Sequence, residues 1–361
     1  MVNRLLGFIS TLFFFLILTT APEALADELL NLYRGTRAQA MGGAFTAVAD
    51  DEEAIFYNAA GLAGIKNLAW NILAIDADVS NDLLSGYSRF STALQNPGFN
   101  SLNQFMGQNL YGRLQGTTTF VLPGFGFAGL FDYQASLILE NPALPSGTLR
   151  AMQTYGVQIA FGKRIKRFAH NRGELRIGVA GKMLWRSGGV RQLSLTELLT
   201  LDAASISKNL SQIGTGLGVD LGLQSIYNFS RRFSLLGGMA ITNIGDVTFT
   251  SPADHVKQNL TVGAAIKYDI NDVAITVAYD QSNILTSGAD WRQKMHLGTE
   301  IKLRLLSLYA GLNQLYPTYG VGLDLWLVKV MYTSYAQDQA SIHGVNPERR
   351  QLIHVALKFD I

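Results

Sequence analysis

Residues 173–186 read Gly-Glu-Leu-Arg-Ile-Gly-Val-Ala-Gly-Lys-Met-Leu-Trp-Arg, and apolar side chains recur at every second position. One face carries Leu175, Ile177, Val179, Met183 and Trp185, and the other carries Glu174, Arg176, Lys182 and Arg186. Strict alternation predicts a β-strand, because successive side chains of a strand point to opposite faces. The polar face carries glycine as well as charged residues, which is unusual for a face that is simply exposed to solvent.

The same alternation returns along most of the chain. It predicts strands over 66–77, 116–122, 125–137, 151–164, 173–187, 212–227, 232–243, 259–269, 272–281, 293–303, 305–313, 318–326, 327–336 and 350–361. Many of these strands are about ten residues long, the length that crosses a bilayer at a tilt. Fourteen is an even number, as single-chain bacterial barrels require. Residues 78–115 leave room for one more hairpin, which would make sixteen strands.

Two β architectures share this alternation, a transmembrane barrel and a soluble sandwich with one wet face. Many evenly long strands, alternately short and long connections, and aromatic residues at the ends of apolar faces favour the barrel. Charged residues form only 16% of the 361 residues, and no uncharged apolar run of about 18 residues follows residue 27. The sequence therefore predicts an all-β transmembrane antiparallel barrel of about fourteen strands, and excludes a polytopic helical membrane protein.

The N-terminus has the features of an export signal. Arg4 precedes the apolar stretch 5–19, Pro22 interrupts it, and Ala24-Leu25-Ala26 has the small-x-small pattern of a cleavage site. An uncleaved anchor helix is the alternative. We predict a signal peptide over 1–26, an N-terminal plug over 27–65 and a barrel over 66–361, located in the cell outer membrane with both chain ends on the periplasmic side.

Connection lengths agree with that orientation. The predicted periplasmic turns are short, whereas the predicted outer loops, such as 78–115 and 188–211, are long. The turn 165–172 is longer and basic, which indicates either a solvated turn or a periplasmic contact patch. The last strand ends in Phe359 and Ile361, where such barrels usually have a terminal aromatic residue.

Residues 27–65 do not alternate, and a fourteen-strand barrel without an internal segment would leak. Gly42-Gly43 predicts a bend, and Asp50 or Asp51 predicts the start of a short helix over 52–57 that ends at 58–61. A calcium site over 50–53 is an alternative for these acidic residues. The predicted plug residues are Arg37, Met41, Gly42, Gly43, Asp50, Asp51, Asn58 and Gly61.

The string from Arg37 to Leu62 resembles the N-terminal signature of the FadL-like outer-membrane proteins. In this chain it reads R-A-x-x-M-G-G-A-F-x-A-V-A-D-D-x-x-A-x-x-x-N-x-A-G-L, and Ala59 stands where the family usually has proline. That superfamily includes transporters of hydrophobic compounds and PorV/PorQ-type proteins associated with secretion and surface attachment. By this resemblance, Asn58 and Ala60 would anchor the plug in the lumen.

The resemblance implies two functions. The first is passage of a hydrophobic, fatty-acid-like molecule through an apolar groove among outer loops, for which the candidate residues are Leu195, Leu198, Leu199, Phe105 and Met106. Packing of the loops themselves is the alternative for these residues. The second function is that of a PorV-type secretion or surface-attachment partner, which would bind protein clients through its outer loops.

Charged residues also fall on the predicted inward faces, namely Arg176, Lys182, Asp220, Lys267, Glu300 and Asp324. Buried charges must be paired, so we expect them to pair with one another or with Arg37, Asp50 and Asp51. They form either a structural network or a polar gate.

Other functions have little support in the sequence. The chain has no cysteine, and its five histidines show no metal-ligand or catalytic spacing. The net charge of +2 gives no reason to expect nucleic acid as a partner. We predict a non-enzyme without metal or cofactor, and a monomer whose partners are outer-membrane lipids and a hydrophobic small molecule, with secretion-system or surface proteins in the alternative.

Overall fold

The computed structural model describes residues 32–95, 103–140, 146–194, 196–197, 212–339 and 342–360. Within these ranges, fourteen antiparallel strands close into one barrel, each paired with its neighbours in sequence and β1 paired with β14. The strands are β1 (Ala69–Ser80), β2 (Asn109–Leu122), β3 (Phe125–Glu140), β4 (Ser146–Phe168), β5 (Gly173–Leu193), β6 (Gly214–Asn228), β7 (Phe233–Thr242), β8 (Asn259–Ile270), β9 (Val273–Gln281), β10 (Met295–Lys302), β11 (Leu306–Asn313), β12 (Tyr316–Leu325), β13 (Val328–Asp338) and β14 (Pro347–Asp360). The predicted fourteen-strand antiparallel barrel is confirmed.

In the residues that the structure describes, three α-helices accompany the barrel: α1 (Thr36–Ala40), α2 (Ala54–Tyr57) and α3 (Asn81–Gln95). A 3-10 helix covers Ala59–Gly64 and another covers Trp291–Lys294. None of the helices in the described part of the chain is both long and apolar enough to cross a membrane.

The region 78–115 differs from the prediction. A long outer loop is predicted there, with an extra hairpin as the alternative. In the structure β1 continues to Ser80, α3 follows, and β2 begins at Asn109, so the connection is long but limited to 81–108. The Ser80 hydroxyl accepts a hydrogen bond from the Leu83 N–H, which caps α3. This cap favours a helix directly after the strand, so the sixteen-strand alternative is wrong.

The two faces of the barrel wall differ in chemistry. On β4 the side chains of Val157, Ile159 and Phe161 are 38%, 45% and 54% exposed, whereas Gln158 and Ala160 between them are buried. Exposed aliphatic and aromatic side chains recur on the outward faces of the other strands, and the polar and small residues face inward. The barrel therefore presents an apolar belt to its surroundings.

The two ends of the barrel also differ. Both β1 and β14 have their outer chain ends, Ala69 and Asp360, at the same end of the barrel, which we call the turn end. Short connections such as 123–124 and 326–327 lie there, and the long connections lie at the opposite end, which we call the loop end. This asymmetry is typical of membrane barrels.

Residues 32–65, which we call the inner segment, touch the inward faces of strands around the whole barrel. Ala38, Met41, Ala44, Phe45 and Leu62 are fully or almost fully buried and pack on small wall residues. Those wall residues include Ala128, Ala160, Ala180, Ala265 and Ala278. A segment that meets strands on every side of a closed barrel lies in its lumen, and small wall side chains let its backbone approach closely.

Candidate functional site: the lumen and its inner segment

Arg37 of the inner segment contacts three carboxylates. Its guanidinium donates to Glu300 of β10 through Nε (3.0 Å) and Nη2 (2.7 Å), and Nη1 lies 2.7 Å from carboxylate oxygens of both Asp50 and Asp51. The guanidinium also lies 5.1 Å from the centre of the Phe45 ring. Burial opposes a charge here, but the three carboxylates raise the pKa of Arg37, so the group stays protonated.

This arrangement bears on the two readings of residues 50–53. Asp50 and Asp51 both face Arg37, and the Asp51 carboxylate also accepts the Glu53 N–H at 3.0 Å, one turn before α2. α2 covers only Ala54–Tyr57 and is shorter than the helix predicted over 52–57. Among the described residues, no group of three or more histidines and carboxylates is placed to hold a metal ion. The structure therefore gives the calcium alternative no support.

The Gly42-Gly43 bend lies against β10 and β11. Both glycines have positive φ, 64° and 88°, and the Gly42 carbonyl lies 2.8 Å from Nδ1 of His296. Next to this bend, the N–H groups of Phe45 and Thr46 donate to one oxygen of Asp280 at 2.9 and 2.7 Å. A carboxylate on β9 thus fixes the backbone of the inner segment, and no local sequence pattern predicts this contact.

The second half of the inner segment meets β4, β5 and β6. Asn58 donates to the carbonyls of Thr46 (2.9 Å) and Leu223 (3.0 Å), and its own oxygen accepts the Ala60 N–H. A Cβ added to Gly178 of β5 would lie 2.2 Å from the Ala59 carbonyl carbon, and one added to Gly61 would lie 2.0 Å from the Ala49 carbonyl oxygen. The segment and the wall are in backbone contact here.

The start of the inner segment is held on the opposite side of the lumen. The Thr36 hydroxyl donates to Asp76 of β1 at 2.6 Å, and the same carboxylate oxygen lies 2.8 Å from Nδ1 of His354. The Tyr335 hydroxyl donates to Asp78 at 2.5 Å and accepts from Arg34 at 3.2 Å. Polar contacts therefore fix the segment at both of its ends.

The six predicted inward charges have different surroundings. Lys182 lies 2.8 Å from Asp220, which also accepts from Gln158, and Gln158 in turn donates to the Ile55 carbonyl. Arg176 pairs with Glu174 and donates to Gln224, Glu300 binds Arg37, and Asp324 pairs with Lys358 at 2.8 Å. Lys267 forms no ion pair within the described ranges. Whether these charges act as a structural network or a gate stays a prediction.

Two polar cavities adjoin the inner segment. The loop-end cavity, about 100 Å³, is lined by amide and hydroxyl side chains such as Gln39, Thr46, Asn259 and Asn313, together with the rings of Tyr33 and Phe56. The turn-end cavity, about 510 Å³, is lined by charged residues, among them Asp51, Glu52, Lys302 and Lys329. Glu52 accepts from Asn71 at 2.9 Å and lies 3.8 Å from Lys329.

The predicted groove residues Phe105 and Met106 lie at the loop end. With α3 they form what we call the loop-end cap, defined by α3 and residues 103–108. Phe105 is 1% exposed, meets the Phe90 ring edge to face at 5.9 Å, and packs with apolar ends of β2 to β5, namely Leu110, Leu137, Leu139, Leu149 and Leu193. The predicted groove residues Leu195, Leu198 and Leu199 lie outside the described residues, as does the predicted signal peptide.

Several residues that bind the inner segment are not among the site residues predicted from the sequence. Asp280, Asp76, Gln158 and Gln224 face inward on strands, and each bonds to the segment or to its partner side chains. Their inward position follows from the alternation, but their partners are distant in sequence. The partner of Asp76 is 40 positions away, and those of the other three are more than 100 positions away. Only closure of the barrel brings them together.

Comparison with known proteins gives matches in structure alone. No protein-family model matches the chain, and no curated protein does. Among solved structures, the chain is similar to the Ralstonia pickettii toluene transporter TbuX (9% identity, 92% of this chain and 99% of that chain, TM-score 0.47). It is also similar to the CymD monoaromatic hydrocarbon channel (11% identity, 93% of this chain and 99% of that chain, TM-score 0.45). A Pseudomonas aeruginosa FadL homologue has the same identity and coverage, with a TM-score of 0.33. Such low identities and TM-scores transfer neither ligand nor activity to this chain.

Proposed function

We propose that this protein is an outer-membrane barrel for the passage of hydrophobic, fatty-acid-like small molecules, with residues 32–65 as its plug. The observation that carries the proposal is the inner segment itself, which crosses the lumen between two cavities and is held by hydrogen bonds and ion pairs. Such contacts can be exchanged for water, so the segment can shift when a solute arrives. The apolar belt supports a location in a membrane, because exposed Val, Ile and Phe faces need a lipid environment.

The closed lumen gives the proposal its mechanism. The loop-end cavity of about 100 Å³ is well below the roughly 300–1,000 Å³ of small-molecule pockets, so a fatty-acid-sized solute cannot pass the segment where it lies. Passage requires that the contacts of Arg37 with Glu300, and of Phe45 and Thr46 with Asp280, loosen together. The amide-lined cavity suits the polar end of the solute, which can exchange hydrogen bonds with these side chains.

The hydrophobic part of the solute has a counterpart at the loop end. The loop-end cap buries Phe105 among leucines, while Leu84 and Tyr87 of α3 are 54% and 68% exposed. An apolar solute that contacts this exposed face would gain from burial of its own surface. The exposed apolar face of α3 therefore favours a hydrophobic solute over a purely polar one.

A reversible cross-link tests the mechanism. A Cβ on Gly320 of β12 would lie 2.8 Å from the Ala40 Cβ, so the pair Ala40→Cys and Gly320→Cys can form a disulfide after a small backbone adjustment. The chain has no other cysteine. In proteoliposomes, we expect the oxidised pair to block uptake of a fluorescent fatty acid and dithiothreitol to restore it, with each single cysteine variant as control.

Two results would contradict the proposal. Uptake by the wild-type chain no faster than by protein-free liposomes would exclude passage of fatty acids. Equal uptake by the oxidised and reduced pair, with the cross-link verified by mass, would show that the inner segment does not gate the lumen.

The PorV-type alternative stays a prediction. It calls for protein clients on the loop end, so cross-linking in the native envelope would recover surface proteins with the wild-type chain. If clients are recovered and no fatty-acid uptake is seen, the secretion function replaces the transport function.

A further inference from the structure

A group of cations lies at the turn end, on the last residues of β4 and on the β4–β5 and β6–β7 turns. The group, which we call the basic patch, consists of Lys163, Lys166, Arg167, Arg172, Arg231 and Arg232. All six are exposed, and none forms an ion pair among the described residues. Arg164, beside them, is already paired with Glu174 at 2.6 Å. The patch therefore carries charge that nothing within the described chain neutralises.

The two turns form one rigid platform. The Asn228 N–H donates to the Arg172 carbonyl at 2.7 Å, which joins the β4–β5 turn to the β6–β7 turn. Aromatic rings continue the link, because Phe168 stacks on Tyr227 (6.3 Å) and Tyr227 meets Phe229 edge to face (4.7 Å). Cations held on a platform can contact one partner together.

The patch is continuous with the apolar belt. Lys163 pairs across the ladder with Ile177, and Lys166 with Leu175, so both lysines point outward on the same face as the belt. Directly above them lies Phe161, 54% exposed, and Ile165 and Phe229 at the patch are each 53% exposed. Apolar and aromatic side chains next to outward lysines are the chemistry of a membrane interface.

We propose that the basic patch binds anionic phospholipid head groups of the leaflet that faces the turn end. The position at the edge of the apolar belt favours lipid over a soluble acidic protein, because a head group there keeps its acyl chains on Phe161 and Ile177. Asp269 at the end of β8 and Asp272 on the β8–β9 turn bound the patch on one side, since the Asp269 N–H donates to the Arg232 carbonyl. This proposal rests on the proposed membrane location.

Native mass spectrometry measures the binding directly. The full chain in detergent is mixed with equal amounts of phosphatidylglycerol and phosphatidylcholine that have the same acyl chains. The ratio of bound phosphatidylglycerol to bound phosphatidylcholine is then measured. With all six cations changed to Gln, we expect the preference for phosphatidylglycerol to fall by about tenfold or more, since each cation near a lipid surface contributes measurably. A control variant changes three exposed loop-end cations, Arg89→Gln, Lys257→Gln and Arg292→Gln, and should keep the preference.

The remaining outcomes are also decisive. If the six-site variant does not fold, Lys163→Gln with Lys166→Gln should lower the preference by about threefold, and Lys163→Arg with Lys166→Arg should preserve it. An unchanged lipid ratio in a folded variant overturns the proposal. So does an equal loss in the loop-end control, or the loss of a copurified acidic protein with the lipid ratio intact. Failure of the wild-type chain to insert into liposomes would instead refute the membrane location and with it the proposed function.

Discussion

The inner segment and the loop-end cap are both non-strand elements packed on the same barrel, but different forces hold them. The inner segment is fixed by directional contacts, such as those of Arg37 with Glu300 and of Asp280 with two backbone N–H groups. The cap is fixed by apolar contact of Phe105 with surrounding leucines. Directional contacts specify one position, whereas apolar contact tolerates small shifts, so substitutions should affect the inner segment more strongly than the loop-end cap.

Removal of the guanidinium should have the largest effect on the inner segment. Arg37→Met leaves Glu300, Asp50 and Asp51 without their shared cation, and loss of one partner of a buried pair costs about 3–5 kcal/mol. We expect raised ion conductance in planar bilayers and a lower urea midpoint. Arg37→Lys keeps the charge but loses the bidentate contact with Glu300. Its conductance and urea midpoint should lie between those of the wild type and Arg37→Met. Wild-type conductance in Arg37→Met would show that the contacts of Arg37 do not keep the lumen closed.

A second test uses two glycines of β5 that differ only in their face. Gly178→Ala places a methyl group 2.2 Å from the backbone of Ala59 and Ala60, so the inner segment must move away, at a cost of about 1–3 kcal/mol. Gly181→Ala meets no atom within 4 Å and should behave as wild type. Protease cleavage within residues 32–65 would report the displacement. Equal cleavage in both variants would argue against close contact.

The pH dependence of Glu52 tests a weaker contact. Burial opposes ionisation, but Lys329 and the hydrogen bond from Asn71 lower the pKa of Glu52 from 4.5 to about 2. A lowered pKa stabilises the folded state above pH 4.5, and this stabilisation is lost as the pH falls towards 2. We expect Glu52→Gln to be about 1–2 kcal/mol less stable than wild type at pH 7, and equal to it near pH 2. If the difference in stability between Glu52→Gln and the wild type did not change with pH, it would not arise from ionisation of Glu52.

The smallest effect is expected in the loop-end cap. Phe105→Leu keeps most of the apolar volume but loses the edge-to-face contact with Phe90, worth about 1 kcal/mol. We expect faster hydrogen exchange in α3 and weaker uptake of a fluorescent fatty acid at low concentration, with unchanged conductance. A change in conductance would mean that the cap and the inner segment are coupled.

Much of the architecture was predictable from the sequence. Alternation of residues such as Leu175, Ile177 and Val179 with charges and glycines predicts the strands, because a pleated backbone with two different environments needs period two. The region 78–115 was less predictable, since α3 follows β1 directly and its cap, Ser80, is also the last residue of that strand. Strand boundaries differ from the prediction by up to seven residues, as at the start of β2, because alternation does not define where a strand ends.

The sequence by itself predicts which face of each strand is polar, and the lack of alternation over 27–65 predicts a segment that differs from the strands. Period two and local turn residues are properties of neighbouring positions, so one sequence suffices to read them. Only the tertiary structure decided that Arg37 meets Glu300, that Asp280 binds the backbone of Phe45 and Thr46, and that Phe105 is buried. Those contacts join residues far apart in the chain, and they exist only because closure of fourteen strands fixes the register of each wall position opposite the inner segment.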